Sequence, residues 1–264
     1  MSTAAASVSR PDPESGWTTM PCELGEGPAP RASIGLIALA SDMISEPELQ
    51  AFLPTDNGVA LYTNRIPMSK VANVETLKAM EAGLSQTVTL LMPDNQLDVI
   101  IYGCTSGTMA IGADEVAGRI REARPGIAVT DPISAGLRGL RKFGCSRIAV
   151  LTPYIDEINT VVEDYISARG FDITAKGSFK QQGDPQMCRI SPRTIYDAGM
   201  QLGRNDVDGL FISCTALRVS PIIGALEQAL GKPVVSSNQA LAWDALRLAG
   251  YEDPVEGFGR LLTI

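Results

Sequence analysis

One motif occurs twice in this chain. Asp98-Val-Ile-Ile-Tyr-Gly-Cys104-Thr105 aligns with Asp208-Gly-Leu-Phe-Ile-Ser-Cys214-Thr215; in both, an aspartate leads an apolar run that ends in Cys-Thr. Other stretches repeat around it in the same order. Ser33-Ile-Gly-Leu-Ile-Ala matches Arg147-Ile-Ala-Val-Leu-Thr, and Gly126-Ile-Ala-Val-Thr matches Gly231-Lys-Pro-Val-Val-Ser. The offsets are 110, 114 and 105 residues, as expected of one duplicated unit with small insertions. A duplicated unit must bury its apolar runs twice in the same way, which restricts the architecture more than any single pattern does.

The apolar runs are short, rich in Val and Ile, and not alternating. They fall near 33–39, 59–62, 99–102, 127–129, 148–151, 210–212 and 234–235. Such runs suit strands covered on both faces, as in parallel sheets. Amphipathic stretches near 75–91, 113–123, 134–142, 156–169, 192–203, 221–230 and 238–249 predict helices between them. Gly170, Gly231 and Gly250 stand where helices would end. Strand–helix alternation predicts an α/β fold with right-handed crossovers. The repeat makes it two pseudo-symmetric lobes, each a short parallel sheet flanked by helices, with the active site in the cleft between them. The expected division is a flexible N-terminal arm over 1–30, rich in Pro, Gly, Ser and Ala, a first lobe over 31–143 and a second over 144–264.

Composition removes several function classes. The chain of 264 residues has 22 Lys and Arg against 30 Asp and Glu, a formal charge of −8, which lacks the basic footprint of a nucleic-acid binder. It has no histidine, so Ser-His-Asp and Cys-His pairs are impossible, and a zinc site would need cysteines and carboxylates alone. Neither GxGxxG nor GxxxxGK[ST] occurs, so a nucleotide cofactor has no support. None of the five cysteines forms a CxxC pair, which speaks against a metal knuckle or a redox dithiol. No apolar run approaches a membrane span, and the first residues lack the apolar core of a signal peptide. The expectation is a cytoplasmic protein with reduced thiols, binding no cofactor, metal, nucleic acid or membrane.

The cysteines of the repeat are then the candidate chemistry. In open α/β sheets ligands bind beyond the carboxyl ends of strands, where Cys104 and Cys214 are expected. If the lobes face each other, the two thiols address opposite faces of one small molecule. Thr105-Ser106-Gly107-Thr108 suits a tight turn opening a helix, whose N–H groups bind carboxylate oxygens and favour a thiolate. Cys214-Thr215-Ala216 is a plainer version of the same turn. A single cysteine ending a buried strand is usually a small core hydrophobe; a matched pair followed by matched threonines is not. Cys22, Cys145 and Cys188 have no such match and read as structural. Tyr154, in Leu-Thr-Pro-Tyr after a strand, either reaches the cleft or packs. Ser41 and Asp42 after the first strand, and Asn238 after Val-Val-Ser-Ser, either line the site or cap a helix.

Gly103-Cys104-Thr105-Ser106-Gly107, Thr152-Pro153-Tyr154 and Ser213-Cys214-Thr215 resemble the aspartate/glutamate racemase superfamily. The likeness is greatest to its branch of maleate cis–trans isomerases, arylmalonate decarboxylases and the ectoine-utilisation protein EutA. It runs over nearly the whole chain beyond residue 30, including Gly231-Lys-Pro-Val-Val-Ser-Ser-Asn238. The resemblance implies two pseudo-symmetric lobes, no cofactor, a homodimer, and a substrate carboxylate held by Thr105, Ser106 and Tyr154, with Thr215 beside the second cysteine. It implies Cys104 and Cys214 as base and acid in a racemase. In a maleate isomerase it implies Cys104 attacking as thiolate and Cys214 moving a proton. In arylmalonate decarboxylase the first position is glycine, so Cys104 argues against decarboxylation.

This sequence also departs from the pattern. Maleate isomerases are alike in an asparagine after the first strand, where this chain has Ser41-Asp42, and in a second before Arg-Ile-Ser-Pro, where it reads Gly183-Asp184-Pro185. An aspartate repels a dicarboxylate and accepts an amino or amidino group. Ala-Ser-Asp after the first strand is closer to the EutA-like group. The expected activity is a cofactor-independent isomerase or racemase acting on a small carboxylic acid, such as an ectoine-degradation intermediate or maleate. The alternatives are a malonate-type decarboxylase and a non-catalytic two-lobed binder of small acids.

Overall fold

The computed structural model describes residues 16–264. Half of the expected N-terminal arm, 1–15, thus lies outside the described residues; from 16 to 30 every position is exposed except the half-buried Ala29.

Each half folds into a four-stranded parallel sheet. The first contains β1 (Ala32–Leu39), β2 (Val59–Ile66), β3 (Val99–Tyr102) and β4 (Ala128–Thr130); the second contains β5 (Arg147–Thr152), β6 (Asp172–Ser178), β7 (Gly209–Ile212) and β8 (Val234–Ser236). Their orders, β2-β1-β3-β4 and β6-β5-β7-β8, are the same topology used twice. The central strands are almost wholly buried, which their unbroken apolar runs require. The helices are α1 (Ser45–Phe52), α2 (Val74–Ala79), α3 (Leu84–Thr89), α4 (Thr105–Ile111), α5 (Ala113–Ala123), α6 (Pro132–Lys142), α7 (Asp156–Ser167), α8 (Asp184–Met187), α9 (Pro192–Gly203), α10 (Ile223–Leu230) and α11 (Ser237–Leu248).

The aspartates of the repeat have a structural task. The Asp98 carboxylate accepts the Ser33 N–H at 2.7 Å, and that of Asp208 accepts the Ser146 and Arg147 N–H groups at 2.9 and 2.7 Å. Each ties the start of β3 or β7 to the start of the neighbouring central strand. The register then runs Ile34 beside Val99 and Ile148 beside Gly209, and both cysteine-bearing strands end at matched heights.

Strand order reverses between β1 and β3, and again between β5 and β7. These switch points are where crossovers leave to opposite faces and open a crevice at the carboxyl ends. Cys104 follows β3 and Cys214 follows β7, so each stands at the switch point of its own sheet.

The lobes interlock. α6 packs on α11, β7 and β8, while α11 packs on α6, β3 and β4, so the helix after each sheet's last strand lies against the other sheet. Ser237 to Leu246 of α11 are accordingly all buried. Arg138 of α6 donates to Asp244 of α11 at 2.7 Å, and the buried apolar residues of both sheets form one cluster. Among the described residues no helix is long and apolar enough to cross a membrane.

Candidate active site

Cys104 is the N-cap of α4. Its backbone is extended (φ −138°, ψ 110°), and its sulfur occupies the place of a capping oxygen, accepting the Gly107 N–H at 3.2 Å. Gly107 is needed for this approach. A Cβ there would lie 2.8 Å from the Cys104 sulfur, 2.7 Å from the Tyr102 hydroxyl and 2.8 Å from the Met80 methyl. The thiol is buried, and burial pushes it up to about 12; the Gly107 N–H and the Ser106 hydroxyl work against that rise, while Asp184 and Asp42 add to it.

Cys214 answers it from the second lobe. Its sulfur accepts the Ala216 N–H at 3.3 Å, and its own N–H donates to the Ser237 hydroxyl at 3.0 Å. Its backbone φ is 149°, a conformation that side chains with a Cβ rarely adopt. Strain of this kind costs on the order of 1–3 kcal/mol and is typical of functional positions. Burial raises the Cys214 thiol as well, Asp184 adds to the rise, and the Tyr154 hydroxyl and the Ala216 N–H oppose it.

Both thiols line one small, largely enclosed cavity. Thr105, Ser106, Tyr154 and Thr215 line it too. The threonine hydroxyls tie the lobes together: Thr105 shares a hydrogen bond with Ser237 at 3.1 Å, and Thr215 donates to the Gly103 carbonyl at 3.3 Å. The Tyr154 hydroxyl, among Cys214, Cys104 and Thr105, is buried without a hydrogen-bond partner among the described residues. A buried hydroxyl without a protein partner can donate to a ligand or to a water. With the threonines engaged, the cavity's remaining side-chain hydroxyls are Tyr154 and Ser106, the latter 3.9 Å from the Cys104 sulfur.

The sequence model of the family described as "Arylmalonate decarboxylase" matches residues 112–262. The maleate isomerase of Nocardia farcinica is 30% identical over 239 residues, covering 87% of this chain and 94% of that protein. The arylmalonate decarboxylase of Bordetella bronchiseptica is 36% identical over 145 residues, covering 54% of this chain and 60% of that protein. This chain belongs to their family. It is an enzyme family that holds isomerases and decarboxylases on one fold. A solved structure of Nocardia farcinica maleate cis–trans isomerase superposes with a TM-score of 0.79 at 26% identity, covering 88% of this chain and 98% of that one. It is a cysteine-to-serine mutant with a covalently bound succinylcysteine intermediate.

The remaining wall of this family member's cavity is Leu39, Met68, Ala72 and Met187, which are apolar, and Asp184. Ser41 and Asp42 stand behind the wall. Ser41 donates to the Asp184 carboxylate at 2.5 Å. Asp42 accepts the Ile44 and Ser45 N–H groups at 2.7 and 2.8 Å, so it takes the capping alternative at the turn into α1. Asn238 is also structural, donating to the Thr215 carbonyl at 2.9 Å and to Glu48 at 3.3 Å. Glu48, from the first lobe, accepts the Ser220 N–H of the second at 2.7 Å; burial raises its carboxyl above the usual range. Glu48 gave no sequence signal because α1 itself was not foreseen. Cys145 and Cys188 are buried away from the cavity, and Cys22 is exposed.

Proposed function

We propose that this chain is a cofactor-independent isomerase of a small carboxylic acid, with Cys104 as nucleophile or base and Cys214 as proton donor. What carries the reading is one cavity lined by two cysteines, one helix-capping and one strained, each from its own lobe. Burial raises both thiols; the Cys104 sulfur caps the N-terminus of α4 and accepts the Gly107 N–H, a setting that favours a thiolate, so Cys104 takes the nucleophile's role and Cys214 the proton donor's. Ser106 and Tyr154 are the donors for the substrate carboxylate. Thr105 and Thr215 position the two turns across the lobe boundary.

For a cis-unsaturated acid the steps follow from this polarity. The Cys104 thiolate forms a carbon–sulfur bond to one alkene carbon, and the π electrons move to the neighbouring carbon and its carboxylate. Cys214 protonates that carbon. The former double bond is now single and rotates. Cys214 as thiolate takes the proton back, the carbon–sulfur bond breaks towards Cys104, and the trans acid leaves. A succinyl group on cysteine, as in the Nocardia farcinica mutant, is what such an addition leaves on a four-carbon diacid. For an acid with a stereogenic α-carbon, the same pair would remove a proton from one face and return one to the other, a racemisation.

The test is Cys104→Ser and Cys214→Ser, separately, against maleate, amino acids and ectoine-derived acids. Each substitution is expected to abolish isomerisation, and full turnover by either would overturn the proposal. The likeness to arylmalonate decarboxylase favours one second reading, a one-cysteine decarboxylase. Decarboxylation of a malonate-type acid by Cys104→Gly but not by Cys214→Ser would establish it.

A further inference from the structure

Among the described residues, Asp184 is the only ionisable group other than thiol and phenol in the cavity wall, and none of the lining residues is positively charged. Its carboxylate accepts a hydrogen bond from the Ser41 hydroxyl. The other acid facing it, Asp42, is engaged with backbone N–H groups and adds negative charge. A carboxylate left this way in a confined cavity is stabilised either by holding a proton or by a ligand group that donates hydrogen bonds to it. The thiols add no positive charge, and the hydroxyls of Ser106 and Tyr154 can serve a carboxylate at the other end.

From this polarity we infer that Asp184, oriented by Ser41, selects an acid whose second polar group is a hydrogen-bond-donating nitrogen (amine, amidine or amide) and rejects a second carboxylate. The inference rests on the proposed isomerase reading and narrows its substrate class. Asp184 is assigned as a specificity residue that touches substrate; Ser41 acts through it as a positioning residue. The burial that raises the Asp184 carboxyl makes acceptance of a dicarboxylate a matter of pH, because only a protonated Asp184 can donate to a second carboxylate.

The experiment compares three acids of one shape: maleate, maleamate and cis-4-aminocrotonate. Turnover and ligand-induced thermal stabilisation are measured for wild type, Asp184→Asn and Ser41→Ala, from pH 5.5 to 8.5. Wild type at pH 8 is expected to favour the nitrogen-bearing acids over maleate by tenfold or more, since a like-charge contact costs more than the roughly 1.4 kcal/mol that a tenfold ratio represents. The maleate-to-maleamate ratio, in which titration of Cys104 cancels and which is computed on the maleate dianion alone, should rise as pH falls. Asp184→Asn should remove that pH dependence and move the ratio towards maleate by about tenfold or more. Ser41→Ala should move the ratio in the same direction by less, because Asp184 keeps its carboxyl but loses its anchor. Wild type that prefers maleate at pH 8, or a ratio unchanged by Asp184→Asn, would overturn the inference. If neither nitrogen-bearing acid is turned over or stabilises wild type better than maleate does, it is overturned as well. Cys104→Ser and Cys214→Ser run alongside keep the outcomes apart: activity surviving in them refutes the two-cysteine reading, whereas dead cysteine variants with an unchanged ratio refute only the role of Asp184.

Discussion

Replacing Gly107 by alanine tests how tightly the first thiol is held. Two terms oppose each other. Alanine in a helix gains about 0.5–1 kcal/mol over glycine. Against this, the new Cβ meets three atoms of three side chains at 2.7 to 2.8 Å, closer than a methyl group can stand. Overpacking of a filled core costs about 1–3 kcal/mol. Tyr102 is fully buried and cannot move aside, so the Cys104 sulfur and the Met80 methyl must yield. The net loss is about 1–2 kcal/mol, a fall in Tm of about 2–8 °C for a chain of this size. Activity should suffer more than stability, because displacing a reacting atom by about 1 Å costs on the order of 10²-fold. Gly118 is the control: it lies in α5, is not buried, and a Cβ there meets nothing within 4 Å. Differential scanning calorimetry and turnover of the preferred acid are to be measured for wild type, Gly107→Ala and Gly118→Ala. Gly118→Ala should be fully active and no less stable. A Gly107→Ala enzyme with wild-type turnover would refute the claim that this glycine holds the sulfur in place.

Three further outcomes are expected. Because burial pushes the Cys104 thiol up to about 12, kcat/KM should climb roughly tenfold per pH unit from pH 6 to 9; a plateau from pH 7 would contradict a thiolate formed from a buried Cys104. Both folded thiols titrate above the unfolded value of about 8.5, so the native state keeps protons that the unfolded chain releases, and stability falls as pH rises past that value by about 1.4 kcal/mol per pH unit for each thiol. Urea midpoints should therefore drop more steeply between pH 9 and 10.5 in wild type than in the Cys104→Ser, Cys214→Ser double variant; equal slopes would show that the thiols are not the cause. Tyr154→Phe removes a buried hydroxyl that has no partner among the described residues, so it should leave Tm unchanged or higher while raising KM about tenfold, the loss of one hydrogen bond to a charged carboxylate; a lower Tm with unchanged KM would place that hydroxyl in structure instead of binding.

Much of the lining of this candidate site was legible because the repeat constrained it. The apolar runs marked the buried strands, and the paired Cys-Thr marked their carboxyl ends, where Cys104, Thr105, Ser106, Cys214 and Thr215 all stand. β6 was missed because it is an edge strand: its exposed residues alternate, and Asp172, Thr174 and Lys176 interrupt any apolar run. The stretch near 75–91 read as one helix but is divided at Met80–Gly83, where a tight turn carrying Gly83 separates α2 from α3. α1 was invisible because Pro47 stands within it and only half of its residues are buried. The cavity's acid came from a different kind of segment. Asp184 belongs to a four-residue helix after a glycine, with no periodicity to place it, and only the likeness to maleate isomerases drew attention to that position. Ser41 and Asp42 lay equally close to the site in sequence; only tertiary geometry separates the anchor of Asp184 from the cap of α1. Nothing in the sequence marked that α6 and α11 each follow one sheet and pack on the other in space.

A crystal structure of the Cys214→Ser enzyme with the acid it binds best tests the convergence of the two cysteines most directly. The expected result is one molecule in the cavity with the Cys104 sulfur on one side and, on the other, the hydroxyl oxygen that replaces the second sulfur, each at about 3–3.5 Å or in covalent contact. An acid that touches only one of the two positions, or that binds outside this cavity, would contradict it.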